Sequence, residues 1–262
     1  MLRTGVHTHS PELQAALDAA AAAAQIIRSL YRRDVRVQTK ADRSPVTEAD
    51  VRAEEAIRSL LAERFPDHGF HGEEGGRQRA DAPAVWLVDP LDGTKSFIRA
   101  CPFFSTQIAL MRGGRLVLGV SSAPMFGEVA WAEDGAGAYL NGDPIHVSET
   151  QALADAIVSS GNLRTLAGSA SAWRRFGDLI GRVSRIRGYG DYVHYHLLAR
   201  GSLDVVIESD VNILDVAALT VIVSEAGGTF TDLQGAPIGL HTTSVLATNG
   251  RLHRAVLESL QV

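Results

Sequence analysis

Apolar positions recur at helical spacing between Pro11 and Arg33, where Leu13, Leu17, Ala20, Ala24, Ile27 and Leu30 fall near one face. The segment before them, Met1 to Ser10, has no periodicity and is expected as a mobile tail. Thr47 with Asp50 three places on marks the start of a second helix, and Val46 and Val51 have the spacing of a hydrophobic staple. Ile57, Leu60, Leu61 and Phe65 form its apolar face, and Pro66-Asp67 ends it. The pattern then shortens. Ala84–Val88, Thr106–Met111, Leu116–Ser122 and Glu128–Ala132 predict strands between glycine turns, and Gly135–Val147, with Asn141-Gly142, predicts a hairpin. From about Glu149 strands alternate with helices: Ile157–Ser160, Ser171–Val183, Arg185–Tyr189, Asp191–Ala199, Leu203–Ile207 and Val216–Glu225. The organisation expected is a tail at 1–10, an N-terminal α+β half at 11–148 and a C-terminal α/β half at 149–262.

Composition adds exclusions. The 262 residues are 45% hydrophobic and 21% charged, ordinary for a chain with a real core. A net charge of -5 and the lack of any basic run argue against nucleic acid or an anionic membrane as partner. Cys101 is the single cysteine, so an internal disulfide and a thiolate metal cluster are both ruled out, and the reducing cytoplasm is the expected compartment. The alanine run Ala19–Ala24 lies between Asp18 and Gln25 and reads as helix, not as a signal segment. No stretch is apolar enough to span a bilayer.

The chemistry lies in the acids. The segment Trp86-Leu87-Val88-Asp89-Pro90-Leu91-Asp92-Gly93-Thr94-Lys95 ends an apolar strand in a turn bearing two carboxylates. Pro90 stiffens the turn, and Gly93 lets backbone amides approach a phosphate. Oxygen donors with no Cys or His beside them suit Mg²⁺ rather than Zn²⁺ or copper. Alone, the segment fits either such a site or an ordinary Asp-rich turn. Glu73 and Glu74 follow Gly72 in the loop-like stretch Phe70–Gly76, Asp50 opens a helix, and Asp215 stands just ahead of the helix expected at Val216.

Together with Ser44-Pro45-Val46-Thr47-Glu48-Ala49-Asp50, Gly72-Glu73-Glu74, Leu214-Asp215-Val216-Ala217-Ala218 and Glu225-Ala226-Gly227-Gly228, this segment resembles the inositol monophosphatase family over roughly residues 40–228. The resemblance implies an α/β fold, an αβαβα sandwich of the inositol monophosphatase and fructose-1,6-bisphosphatase type, usually homodimeric. It implies hydrolysis of a small phosphate monoester with two or three Mg²⁺, for which Mn²⁺ can substitute. Glu73, Asp89, the Leu91 carbonyl, Asp92 and Asp215 fall at its metal positions, and Asp92, Gly93 and Thr94 at its phosphate positions. Asp50, Thr94 and Glu73 fall at its catalytic positions, with Thr94 hydrogen-bonded to Asp50 to activate water. Glu74 matches the second acid of the pair without being a metal ligand, and Lys40, ahead of Asp42, matches a lysine near the site. Leu214 departs from the pattern, which often has Trp there, and so alters the pocket wall.

For substrate, Arg187-Gly188-Tyr189-Gly190-Asp191-Tyr192 resembles the histidinol-phosphate phosphatase branch. Asp191, Glu208 and Asn212 are the candidate substrate contacts, because an acid at 191 or 208 suits a cationic amine. Asp191 also reads as the N-cap of the helix after it. His194 and His196, two apart, cannot share a helix face and so do not make a joint metal site. His7 and His9 read as solvated tail and His68 and His71 as surface loop. Trp86 and Trp131 read as core or rim. The leading reading is a histidinol-phosphate phosphatase; the alternatives are an inositol-1-phosphate or broad sugar-phosphate phosphatase, and a non-catalytic binding or scaffold protein on the same fold.

Overall fold

A computed structural model describes residues 9–40 and 44–261; most of the expected tail, with His7, and Asp42 lie outside them. The chain opens with α1 (Pro11–Leu30), β1 (Val37–Thr39), β2 (Pro45–Thr47) and α2 (Glu48–Arg64). Next come β3 (Gly69–Gly72), β4 (Gly76–Gln78), β5 (Ala84–Asp92) and the short α3 (Thr94–Ile98). A meander follows in β6 (Ser105–Arg112), β7 (Arg115–Ala123), β8 (Glu128–Glu133), β9 (Ala138–Leu140) and β10 (Asp143–Ile145). The remainder is β11 (Ile157–Ser160), α4 (Arg164–Gly168), α5 (Ala170–Ile180), β12 (Arg185–Arg187), α6 (Asp191–Ala199), β13 (Val205–Ser209), α7 (Ile213–Glu225), β14 (Thr229–Thr231), β15 (Ser244–Thr248) and α8 (His253–Gln261).

One sheet of eight strands runs β10-β9-β8-β7-β6-β5-β3-β4, antiparallel except for the β3–β5 pair. A second of five strands runs β12-β11-β13-β15-β14. Three cores define the layers. The first lies between α1 with α2 and the large sheet, and the second holds α6 and α7 between the sheets. The third lies between the small sheet and α5 with α8. The result is the αβαβα sandwich expected. The alanines of α1 explain its close packing: Ala16, Ala19, Ala20 and Ala23 are buried and let the helix lie near α2 and β7. Among the described residues no helix is long and apolar enough to cross a membrane.

Several boundaries move for physical reasons. Phe70–Gly76 is not a loop: β3 pairs with both β4 and β5, leaving only the Glu73–Gly75 turn between strands. The helix expected at Val216 starts at Ile213, because Asn212 and Asp215 form a reciprocal capping box around the first turn. Ser10 is the cap of α1, accepting from the Leu13 amide at 3.0 Å, and the His9 ring meets Trp131 edge to face. Asp191 is not the N-cap of α6; Gly190 holds that place without a side-chain bond.

Candidate active site

Asp50 is placed by its own helix. Thr47 caps α2, and Asp50 Oδ2 accepts from the Thr47 amide at 2.8 Å and the Thr47 hydroxyl at 2.6 Å. Its other oxygen, Oδ1, accepts from Thr94 Oγ1 at 2.9 Å. Burial raises the Asp50 pKa, and these hydrogen bonds offset part of that. Thr94 opens α3 behind Gly93, whose φ of +95° and whose contact with the Phe103 carbonyl leave no room for a side chain. The first amides of a helix have no partner within it, so those of Gly93 and Thr94 can face an anion.

The Glu73–Gly75 turn is held from α2. Glu54 accepts from the Glu74 amide at 2.7 Å and the Gly75 amide at 2.5 Å. A side chain at Gly72 would collide with that carboxylate. Lys40 Nζ lies 2.8 Å from Glu73 Oε1 and 2.6 Å from Glu74 Oε1. Burial disfavours the Lys40 charge, but its two acids outweigh burial and push its pKa up. Burial raises Glu74 to about 7 despite Lys40.

Asp89 and Asp92 flank an irregularity in the β5–β6 register that turns Pro90 and Leu91 out of the ladder. Asp89 Oδ1 accepts from the Leu91 amide at 2.9 Å, and Asp92 Oδ2 from Ser105 Oγ at 3.2 Å. The Leu91 carbonyl lies 3.1 Å from Thr94 Oγ1. Asp215 is the third residue of α7 and accepts from the Asn212 amide at 2.9 Å. Burial, then the charges of Glu73, Asp92 and Asp215, drives the Asp89 pKa well above its usual range. Burial, then Asp191, Asp215 and Glu208, does the same to Asp92. Asp215 is raised to about 7, mainly by burial.

As the side chains stand, no group of three or more His, Cys, Asp or Glu that could hold a metal ion forms among the described residues. The chemistry of the set nevertheless fits a hard cation. Oxygen donors from three elements converge where burial and mutual repulsion raise the pKa values of Asp89, Asp92 and Asp215, and Lys40 sets a positive charge beside Glu73; a divalent ion would relieve that repulsion.

A small cavity beside these acids is lined by Asp92, Asn162, Asp191, Tyr195, Glu208 and Asp215, among others. Glu208 is buried and fully engaged. Its Oε1 accepts from the Asn162 amide at 3.1 Å, and its Oε2 lies 2.6 Å from Tyr195 Oη and 3.1 Å from His194 Nε2. Burial opposes its charge, but His194, Tyr195 and Asn162 together hold its pKa below the usual value. No hydrogen bond from the described residues reaches the Asp191 carboxylate, whose pKa is raised by burial and then by Glu208. Asp191 sits at φ +45°, just after Gly190. Asn212 is not on this wall: its side chain caps α7 through the Leu214 amide at 3.1 Å. His194 and His196 have separate partners, Glu208 for one and Glu128 with Ser121 for the other. Trp86 is buried, and Trp131 stacks on Tyr139.

The model of the inositol monophosphatase family matches residues 9–262. The chain belongs to the inositol monophosphatase family. Members of the family are generally metal-dependent, and this chain is a phosphoric monoester hydrolase. The histidinol-phosphatase of Streptomyces coelicolor is 40% identical over 239 residues, 86% of each chain. That of Mycobacterium tuberculosis is 39% identical over 231 residues, 87% of this chain and 88% of its own. The crystal structure of the extragenic suppressor protein suhB from Bartonella henselae superposes with a TM-score of 0.89 at 30% identity, covering 96% of this chain and 99% of that one.

Several positioning residues are not singled out by the sequence motifs. Glu54 follows Asp50 by four on the buried face of α2, a spacing that could have flagged it. Ser105 and Gln107 are two apart on β6 and buried, polar positions on an otherwise apolar strand. Tyr195 had no visible signal.

Proposed function

We propose that the chain hydrolyses L-histidinol phosphate to L-histidinol and phosphate, with Mg²⁺ as its cation. One observation carries this reading. Asp191, which receives no hydrogen bond from the described residues, lines the same cavity as Asp92 and Asp215, where a cationic amine attached to a bound phosphate ester can reach it. The two relatives named histidinol-phosphatase support it.

Glu73, Asp89, the Leu91 carbonyl, Asp92 and Asp215 would hold the cation. When bound, the cation supplies positive charge to the phosphate and acidifies a neighbouring water. The chain does the rest. Thr94 gives its hydrogen to Asp50 and keeps a lone pair for the proton of the attacking water. Asp50 is fixed as acceptor because Thr47 already fills its second oxygen. The amides of Gly93 and Thr94 hold phosphate oxygens and keep the phosphorus in line with the water. Asp191 takes the amine as a charge-assisted hydrogen bond. Glu208, with its oxygens occupied, acts on the amine through its charge alone.

The test is phosphate release from L-histidinol phosphate and from inositol 1-phosphate, side by side, with Mg²⁺ and with EDTA. The expected result is preference for histidinol phosphate, abolished by EDTA and by Asp92→Asn. Asp191→Asn should raise KM for histidinol phosphate by roughly 10- to 150-fold, the worth of a hydrogen bond to a charged group, and leave inositol 1-phosphate unaffected. Equal turnover of both esters would remove the amine from the reading and leave a broad phosphatase.

A further inference from the structure

Asp92 accepts from Ser105, and Ser105 is the near end of a chain of buried polar groups that the proposed chemistry does not use. Gln107 Nε2 donates to Ser105 Oγ at 2.8 Å and to Ser121 Oγ at 3.1 Å. Ser121 Oγ lies 2.8 Å from His196 Nε2, and His196 Nδ1 lies 3.2 Å from Glu128 Oε2. Arg200 Nη1 closes the far end, donating to Glu128 Oε1 at 3.2 Å. Ser105, Gln107 and Ser121 have no exposed surface.

The two ends fix the direction of every bond. Asp92 as a cation ligand and Glu128 are both carboxylates, which only accept. Ser105 must therefore point its single hydrogen at Asp92 and receive one from elsewhere. At the other end His196, buried and neutral, gives Nδ1–H to Glu128 and keeps Nε2 as an acceptor. Ser121 must then donate to Nε2, and it too needs a hydrogen. A chain with acceptors at both ends requires one member that donates in both directions. The NH₂ of Gln107, with two hydrogens, is that member. A reversed amide would draw the Ser105 hydrogen away from Asp92 and bury an NH₂ without acceptors. The orientation adopted leaves Gln107 Oε1 buried and unpaired, a cost that calls for a compensating role.

We propose that Gln107 is a positioning residue for Asp92. By donating to both serines it holds Ser105 as a donor to Asp92 Oδ2, leaves Oδ1 for the cation, and ties that setting through His196 to Glu128 and Arg200. The proposal rests on the reading of Asp92 as a cation ligand.

Two measurements test it. Long-range ¹H–¹⁵N spectra of the wild-type protein in saturating Mg²⁺ should show His196 as the neutral Nδ1–H tautomer at neutral pH. Gln107→Glu keeps the shape but puts an acceptor at the centre, so Ser121 turns inward and His196 Nε2 gains a proton. Calorimetric Mg²⁺ affinity should fall by about 10- to 100-fold in Gln107→Glu and in Ser105→Ala, while Ser105→Ala keeps the wild-type His196 tautomer. A His196 protonated at Nε2 in the wild-type protein, or Mg²⁺ affinity unchanged in Ser105→Ala, overturns the proposal. These two readouts stand even if Gln107→Glu fails to fold. Wild-type protein that binds no Mg²⁺ overturns instead the reading of Asp92 as a ligand, whatever the tautomer shows.

Discussion

Thr94 has one hydrogen and two acceptors in reach, Asp50 Oδ1 at 2.9 Å and the Leu91 carbonyl at 3.1 Å. The carboxylate is the stronger acceptor, and the Thr47 cap has already turned it to face Thr94. Thr94→Ala should therefore lower kcat by about 10²- to 10⁴-fold, the range for a positioned proton acceptor. Because the Thr94 hydroxyl satisfies the fully buried Asp50 carboxylate, the same variant should also lose about 1–3 kcal/mol in unfolding by denaturant, which Thr94→Ser restores. Thr94→Ser, which keeps the hydroxyl, should retain most of the rate; equal loss in both variants would count against the role. At this scale the sequence was readable where an acid ended an apolar strand, as at Asp89 and Asp92, or occupied a helix N-terminus, as at Asp50. It was not readable for Glu54, whose work is to hold two backbone amides from a distant turn. An acid's partners in the folded chain are absent from its local pattern.

The elements place these side chains only if they pack at the right distance. Gly119 of β7 lies directly against α7, and a Cβ there would strike the Ala218 carbonyl. Because the obstacle is helix backbone, no rotamer change relieves it. Gly119→Ala should push α7 off the sheet and cost about 1–3 kcal/mol of stability, as overpacking does. Asp215 rides on the first turn of that helix. Mg²⁺ affinity measured by calorimetry should weaken too, whereas a substitution that only loosened the fold would leave the affinity of the folded fraction intact. Both strands of the β9–β10 hairpin were legible because Asn141-Gly142 has φ of +52° and +92°, as a tight turn needs. The β14–β15 pair and α8 were not singled out. Thr229–Thr231 is a three-residue strand, too short to show alternation. The start of α7 was missed by three residues because apolar Ile213 and Leu214 belong equally to a strand or a helix until the Asn212 cap is seen.

At the scale of the whole molecule, layers contributed by α2, β3–β4, β5 and α7 deliver acids to one place, and their charges set how stability responds to pH. Glu74 and Asp215 have folded pKa values of about 7, raised chiefly by burial, and Asp89 and Asp92 are raised well above the usual range. In the unfolded chain all four ionise near about pH 4. For Glu74 and Asp215 the stability contributed is therefore full below about pH 4 and is lost as pH rises through about 7, and Asp89 and Asp92 lose theirs in the same direction. Two other sets of groups titrate differently. Glu208 and Glu128, held below their usual pKa, stabilise above about pH 4 and lose that contribution in acid. His68, His196 and His253, lowered first by burial, gain stability as pH rises toward about 6.5, their unfolded value, and contribute it in full above that. A single melting curve mixes all three, but the difference between Mg²⁺ and EDTA isolates the acids that the cation would contact. Binding requires those acids ionised, so the difference should be near zero at about pH 5 and grow through about pH 7.5. At a hundredfold excess of Mg²⁺ over its Kd the gain is about 2.7 kcal/mol. That corresponds to roughly 5–11 °C in Tm for a chain this size. Scanning calorimetry across that range decides the matter: a Mg²⁺ shift independent of pH would place the ion away from Asp89, Asp92 and Asp215.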